Sequence, residues 1–211
     1  MKYVPHWWDA AVSVGESWPS SPEVEPLVHG WTVHEGHLGR LLSPLIERWN
    51  TDPDANRPVV LEIGSWLGKT AVHLLSTYPD LLLLVVDAWR SDNGINHERS
   101  TDSLRTWQAN VFPYRERVVA VRDWSECGML RLRLAGAVPD VVYVDAAHDY
   151  ASVYLDVATA VACFPRALIC GDDYPMKTRG EDRSVGDAVE AYAKRRGREV
   201  VARGRFWEML P

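Results

Sequence analysis

From residue 59 onward, short apolar runs alternate with stretches whose apolar residues recur at helical spacing. Residues 59–63, 82–87, 118–121, 141–145 and 167–170 are rich in Val, Leu and Ile and almost free of polar interruption. That is the pattern of strands buried on both faces. Between and after them, residues 69–77, 103–110, a short 126–134, 151–163 and 185–195 carry the helical period. Strand followed by helix, repeated, predicts a mostly parallel sheet covered on both sides. Two later segments, 199–202 and 205–210, read as closing strands. The tight Arg203-Gly204 join predicts an antiparallel hairpin and brings the sheet to seven strands.

Upstream the pattern changes. Leu38, Leu41, Leu42, Leu45, Ile46 and Trp49 predict a helix over residues 37–49. Pro53 and Pro58 then break the chain. Residues 1–30 are rich in Pro, Ser, Trp and Glu with no clear period, which predicts an irregular arm or lid. The expected division is therefore an arm with its first helix over residues 1–50 and the α/β domain over 51–211. No internal repeat or low-complexity tract is visible.

Composition narrows the class. A chain of 211 residues is expected to bury about 70% of its unfolded surface, and a hydrophobic fraction of 46% argues against disorder. No apolar run approaches the roughly 20 residues of a membrane span, and residues 1–10 lack the apolar core of a signal peptide. Cys127, Cys163 and Cys170 are odd in number and lack metal-type spacing, so free thiols in a cytoplasmic protein are expected. The net charge of −6 argues against nucleic acid as a partner. Ten tryptophans read as core and lid packing, or as a wall for a flat ligand.

Ligands of such sheets bind at the carboxyl ends of the strands, near the point where strand order reverses. Here those ends read Glu62-Ile63-Gly64, Asp87, Arg122-Asp123, Asp145 and Asp172-Asp173. A carboxylate stands at or beside each one. An acid-rich rim suits hydroxyl groups, cations or a metal.

The first strand runs through E-I-G-S-W-L-G-K-T-A into a helix. Gly64 and Gly68 would let backbone approach a ligand, and the helix start favours a negative group. Three ligands come into question. A dinucleotide fingerprint needs a glycine where Trp66 stands. A P-loop resembles the Gly68-Lys69-Thr70 end, but it needs four residues between its glycines, and Gly64 and Gly68 enclose only three. The third ligand is S-adenosylmethionine (SAM). The stretch resembles motif I of class I methyltransferases, and Asp87, 25 residues after Glu62, stands where an acid can accept both ribose hydroxyls.

The resemblance extends through an ordered set of motifs. Val85-Val86-Asp87-Ala88-Trp89, Asp145-Ala146-Ala147-His148-Asp149-Tyr150, Cys170-Gly171-Asp172-Asp173-Tyr174 and Val185-Gly186-Asp187-Ala188-Val189 are each similar to elements of methyltransferase family 24. Trp31-Thr32-Val33-His34-Glu35-Gly36 resembles the segment that closes over the cofactor. Relatives include macrocin-type sugar and catechol-type O-methyltransferases, many of them magnesium-dependent and some lid-swapped homodimers. The resemblance implies a Rossmann-like fold and SAM-dependent O-methylation of a small hydroxylated molecule. It implies a cofactor site of Glu62, Gly64, Ser65, Trp66, Gly68, Asp87, Ala88, Trp89, Asp123, Trp124, Ser125 and Asp145. It also implies Mg²⁺ on Asp145, Asp172 and Asp173. Two departures stand out. Ala146 replaces the usual glycine, and Ala147 stands where macrocin-type relatives carry a second acid. His148 is then the nearest candidate base, with Asp145 beside it.

Bland readings compete at several of these positions. Asp172-Asp173 could be a metal-free turn, and His148 could be a satisfied histidine under a helix start. Asp149 reads as the cap of the helix that follows. Tyr150 could pack or touch substrate. Lys69 and Thr70 read as a helix start, and residues 179–183 as a solvated charged loop. The arm and the insert at residues 90–105 are expected to line the substrate pocket.

Overall fold

The five buried runs lie side by side as parallel strands, and their ends line up. The computed structural model describes residues 4–27, 34–90, 103–180 and 182–210. Its elements are helix α1 (Trp8–Val14), α2 (Glu35–Thr51), strand β1 (Val59–Ile63), α3 (Lys69–Thr77), β2 (Leu82–Asp87), α4 (Ser103–Val111), β3 (Val118–Arg122), α5 (Ser125–Leu134), β4 (Val141–Val144), α6 (Tyr150–Cys163), β5 (Leu168–Gly171), α7 (Val185–Arg196), β6 (Val200–Arg203) and β7 (Phe206–Met209). The strand order is β3-β2-β1-β4-β5-β7-β6, with β7 antiparallel to both its neighbours. The sheet is thus the expected seven-stranded, mostly parallel α/β sheet with a C-terminal antiparallel hairpin.

Order reverses between β1 and β4, and the register there decides the site. Ile63 pairs with Val144, Ile63 with Val86, and Val144 with Gly171. Hydrogen bonding then runs past the strand ends. Gly64 N–H donates to Val86 O at 2.9 Å, Asp145 N–H to Ile63 O at 2.8 Å, Asp123 N–H to Asp87 O at 3.1 Å, and Asp172 N–H to Val144 O at 3.2 Å. The rim residues therefore stand in one row along one edge of the sheet.

Alternate residues of each strand feed two cores, as period-two side chains must. Leu61, Ile63, Val86, Val142 and Val144 meet α1, α5, α6 and α7 on one face. Val60, Leu83, Val85, Val141 and Tyr143 meet α2, α3 and α4 on the other. The buried polar and charged residues concentrate at the strand ends, among them Glu62, Ser65, Asp172 and Asp173.

The arm differs from expectation. Residues 8–14 form α1, with Trp7, Trp8 and Ala11 buried in the first core. Glu16 N–H donates to Ala120 O at 2.6 Å, continuing the edge of β3. A helix of seven residues shows too little period to be read from sequence; tertiary burial of two indoles holds it. Element boundaries otherwise move by one or two residues, as helix and strand ends do.

Candidate active site at the strand ends

The β1–β3 half of the rim is built around Asp87. Its Oδ2 accepts the backbone N–H groups of Ser65 and Trp66, both at 2.8 Å, and its Oδ1 accepts that of Trp89 at 2.6 Å. Trp66 and Trp89 both adopt left-handed backbone, with φ of 48° and 40°. Such residues cost of order 1–3 kcal/mol and persist only where the surroundings over-determine them. The carboxylate thus fastens the loop after β1 to the loop after β2. A carboxylate has about four lone-pair positions, so capacity for a ligand hydroxyl remains.

Glu62 lies beneath that loop and is buried. Its Oε2 has no hydrogen-bond partner among the described residues. Burial pushes its carboxyl up to about 8, the Ser65 side chain pulls it down and Asp87 pushes it up. Ser65 is itself held by the Trp107 indole, whose Nε1–H donates to its Oγ at 2.8 Å. An orphaned buried carboxylate oxygen is what a cationic ammonium group would satisfy.

The loop glycines answer first to packing. Gly64 has φ +82°, and a Cβ there would lie 2.2 Å from the Asp145 carbonyl oxygen; at Gly68, φ +81°, it would lie 2.8 Å from the Trp107 ring. Gly64 keeps the ends of β1 and β4 together, and Gly68 seats Trp107.

At the end of β3, Asp123 Oδ1 accepts its neighbour Trp124's N–H at 2.9 Å, and Oδ2 accepts Arg131 at 3.2 Å. Trp124 is 53% exposed, with the Arg90 guanidinium 5.2 Å from its ring centre. Ala88, Arg90, Arg122, Asp123 and Trp124 line an open cleft of about 340 Å³. Ser125 starts α5 and hydrogen-bonds Asp156, a buried acid pushed up to about 7 by that burial.

The other half of the rim gathers Asp145, His148, Asp172 and Asp173. One ligand atom each from Asp145, His148 and Asp173 lies within 4.8 Å of the others; Asp172 stands beside this group. The Asp145 carboxyl sits well above the ordinary carboxylate range, through burial first and then through Asp172, Asp173 and Glu62. His148 Nε2 lies 2.8 Å from Asp173 Oδ2. Asp173 also holds left-handed backbone, φ 61°.

Two partners were not legible in the sequence. His34, at the start of α2, places Nε2 2.7 Å from Asp172 Oδ1. Arg205, at the β6–β7 turn, donates to Asp172 Oδ1 from Nε at 3.3 Å and to Asp173 Oδ1 from Nη2. Burial raises the Asp172 carboxyl, but the His34 hydrogen bond, the Asp173 N–H and Arg205 hold it below its usual range. Asp149 caps α6 as expected, accepting from Ser152 N–H at 3.0 Å. Lys69 and Thr70 start α3. Tyr150 lies beneath Arg183, whose guanidinium is 3.4 Å from the ring centre. Residues 31–33 of the expected closing segment and 91–102 of the expected substrate-lining insert lie outside the described residues.

A parallel sheet that reverses between its first and fourth strands, bears a glycine loop at that point and ends in an antiparallel hairpin is the class I methyltransferase architecture. The family model for this methyltransferase domain, methyltransferase 24, matches residues 61–174. The chain belongs to that family and is a SAM-dependent methyltransferase. Solved structures agree on the fold. A putative caffeoyl-CoA O-methyltransferase from Staphylococcus aureus superposes with a TM-score of 0.56 at 14% identity, covering 88% of this chain and 84% of its own. The human methyltransferase 10 domain containing protein gives 0.54 at 11%, covering 87% and 83%. An O-methyltransferase family 2 protein from Planctomyces limnophilus, in complex with apigenin, gives 0.51 at 13%, covering 83% and 61%. Among curated protein sequences nothing matches. No helix among the described residues is long and apolar enough to cross a membrane.

Proposed function

We propose that the chain transfers the methyl group of SAM to a hydroxyl oxygen of a small molecule such as a sugar, a catechol or another natural product. The observation that carries this reading is the His148–Asp173 pair, 2.8 Å apart, beside Asp145 and across the β1–β4 junction from the glycine loop. A base oriented by a carboxylate at the cofactor's edge is what a hydroxyl acceptor needs.

The roles follow from position. Glu62, through its orphaned oxygen, takes the ammonium of the cofactor's amino-acid end. Gly64, Ser65, Trp66 and Gly68 form the loop around that end, and Asp145 closes it from β4. Asp87 receives ribose hydroxyls, with Ala88 and Trp89 beside it. Asp123, Trp124 and Ser125 border the adenine. Bound, SAM supplies an electrophilic methyl whose sulfonium leaves as a neutral thioether, so the protein's tasks are alignment and proton removal. With His148 donating Nε2–H to Asp173, its Nδ1 is the nitrogen left to take the acceptor's proton. Asp173 then faces the imidazolium that forms.

Magnesium was the expectation from the resemblance. A divalent cation would be held by Asp145, Asp173 and His148 or Asp172, and would acidify the acceptor hydroxyl. The residue set fits Mg²⁺ poorly. Mg²⁺ demands near-octahedral oxygen ligands and retains several waters. Here one of the three clustered donors is a nitrogen, His148 and Asp173 are bonded to each other, and the second Asp173 oxygen faces Arg205. We therefore adopt the metal-independent reading with His148 as base. The free thiols of Cys127, Cys163 and Cys170 support a cytoplasmic setting, and the charge of −6 supports a small-molecule rather than a nucleic-acid partner.

The test is an acceptor panel of catechols, sugars and amines with SAM, read by product mass and by the position of the new methyl. Methylation at oxygen, reduced about 10²–10⁴-fold in kcat by His148→Gln with SAM affinity unchanged, is expected. Methylation of amines alone would overturn the acceptor assignment.

A further inference from the structure

The hairpin that closes the sheet ends in the active-site rim, and it does so with a cation. Gly204 holds φ +67°, so the two-residue turn between β6 and β7 is tight enough to aim Arg205 back across the sheet. Two links fix it there. Its carbonyl oxygen accepts the N–H of Tyr174 at 2.9 Å, directly after the acid pair. Its guanidinium spans both acids, Nε on Asp172 and Nη2 on Asp173. Asp172 and Asp173 are almost wholly buried, with side chains 4% and 7% exposed, whereas Arg205 is 45% exposed. Two buried carboxylates next to a third, Asp145, need a positive charge close by. A planar guanidinium with several donors in a fixed fork can serve two carboxylates at once, which a lysine ammonium does less well.

We propose that Arg205 is the resident counter-ion of the strand-end acid pair. It takes the place that a divalent cation would need, and it holds Asp173 in position for His148. The inference rests on the hydroxyl-acceptor reading above and deepens it in substrate class. A fixed guanidinium has no exchangeable coordination positions, so the acceptor is not gripped as a chelate. A single hydroxyl suffices, and a vicinal diol gains no advantage. Arg205 is a positioning residue in this scheme, because it acts through Asp173.

The first arm of the test needs no acceptor. Chelator-treated full-length protein is titrated with Mn²⁺, read by the loss of the free-ion electron paramagnetic resonance signal, with SAM affinity measured in parallel. The wild type is expected to show no saturable Mn²⁺ binding below the millimolar range and to bind SAM equally well with and without chelator. Arg205→Ala is expected to bind Mn²⁺ about tenfold tighter or more, because it frees the acid pair. Arg203→Ala, which removes the hairpin ion pair with Glu208 and leaves Arg205 in place, is expected to match the wild type. Micromolar Mn²⁺ binding by the wild type overturns the proposal whatever the variants do. So does an Arg205→Ala protein that binds SAM normally and gains no Mn²⁺ affinity. If Arg205→Ala does not fold, Arg205→Lys replaces it and is expected to bind Mn²⁺ more tightly than the wild type; no gain there counts against the proposal. A second arm compares a monohydroxyl acceptor with its vicinal-diol analogue. Comparable kcat/KM values are expected, and strict dependence on the diol would overturn the substrate-class claim. Failure of the acceptor reading itself would appear as methylation at nitrogen and would leave the Mn²⁺ result intact.

Discussion

The indole N–H of Trp89 donates to the carbonyl oxygen of Trp66 across 2.9 Å, joining two residues that both hold left-handed backbone. Each side of the Asp87 carboxylate secures one of them. The strain at the two positions is thus locked by one acid and one indole. Trp89→Phe keeps an aromatic ring at this buried site but removes the donor and part of the indole's packing volume. It should lower unfolding stability by about 0.5–1.5 kcal/mol, measured by urea denaturation, and weaken SAM binding in calorimetry. Stability equal to wild type would show that the indole bond does not hold the loop.

Asp87 holds the loops and, in the proposed cofactor site, also receives ribose hydroxyls; the comparison of two variants reads both. Asp87→Ala leaves three backbone N–H groups, those of Ser65, Trp66 and Trp89, without their acceptor. SAM affinity should fall about 5- to 150-fold, equivalent to about 1–3 kcal/mol, and stability should fall with it. Asp87→Asn has one acceptor oxygen for two sides of the loop and should resemble the alanine variant rather than the wild type. Calorimetric titration with SAM, alongside ATP as a comparison ligand, checks this.

Glu62 makes the free protein pH-sensitive in a predictable direction. Its carboxyl is raised from 4.5 to about 8 in the folded chain, so the native state binds the proton more tightly than the unfolded state. The contribution is complete below about pH 4.5 and is lost as pH rises toward about 8. Asp156, raised to about 7, adds a loss of the same sign over a lower range. Glu62→Gln should therefore show a smaller fall in Tm over this window, and Glu62→Gln with Asp156→Asn a smaller one still. Binding of an ammonium ligand favours the ionised form, so SAM binding near neutrality should release a proton. The measured enthalpy should depend on the buffer for the wild type and lose that part in Glu62→Gln.

Gly64→Ala tests whether that position serves packing before ligand. The added Cβ would meet the Asp145 carbonyl at 2.2 Å and the Ala146 Cα at 2.5 Å, at a φ that alanine disfavours. The strained backbone and the clash together should cost about 3 kcal/mol or more. The loss should be present in the SAM-free protein, read by urea unfolding. A variant that unfolds normally and only fails to bind SAM would show that the glycine serves the ligand rather than the packing.

The parts of this fold that sequence made legible share a physical cause. Strands buried on both faces must be continuous apolar runs, so β1 to β5 and the row of acids that ends them stood out. Motif order then located Glu62, Asp87, Asp123, Asp145 and Asp173. What was hidden depends on tertiary approach. His34 meets Asp172 across 138 residues of chain and Arg205 meets it across 33; His34 stands in the segment that resembles a cofactor closure and Arg205 in a closing strand, but neither pattern names the acid it meets. The helix α1 was hidden because seven residues hold barely two turns. The packing task of Gly64 was hidden because the close contact it allows is with the protein's own β4 end.

The antiparallel strand β7 lies between β5 and β6, so residues 200–209 join the sheet after the strands β1 to β5 have been synthesised. A nascent chain stopped at residue 199 would already hold the loops that follow β1, β2 and β3. It would also carry Asp172 and Asp173 with no guanidinium, and an open hydrogen-bonding edge on β5. Such an edge invites pairing with other chains. The β6–β7 hairpin therefore does two things at once: its turn neutralises the acids and its strand β7 covers the β5 edge. A truncation at residue 199 should accordingly aggregate on refolding, as light scattering would show, where the whole chain stays clear.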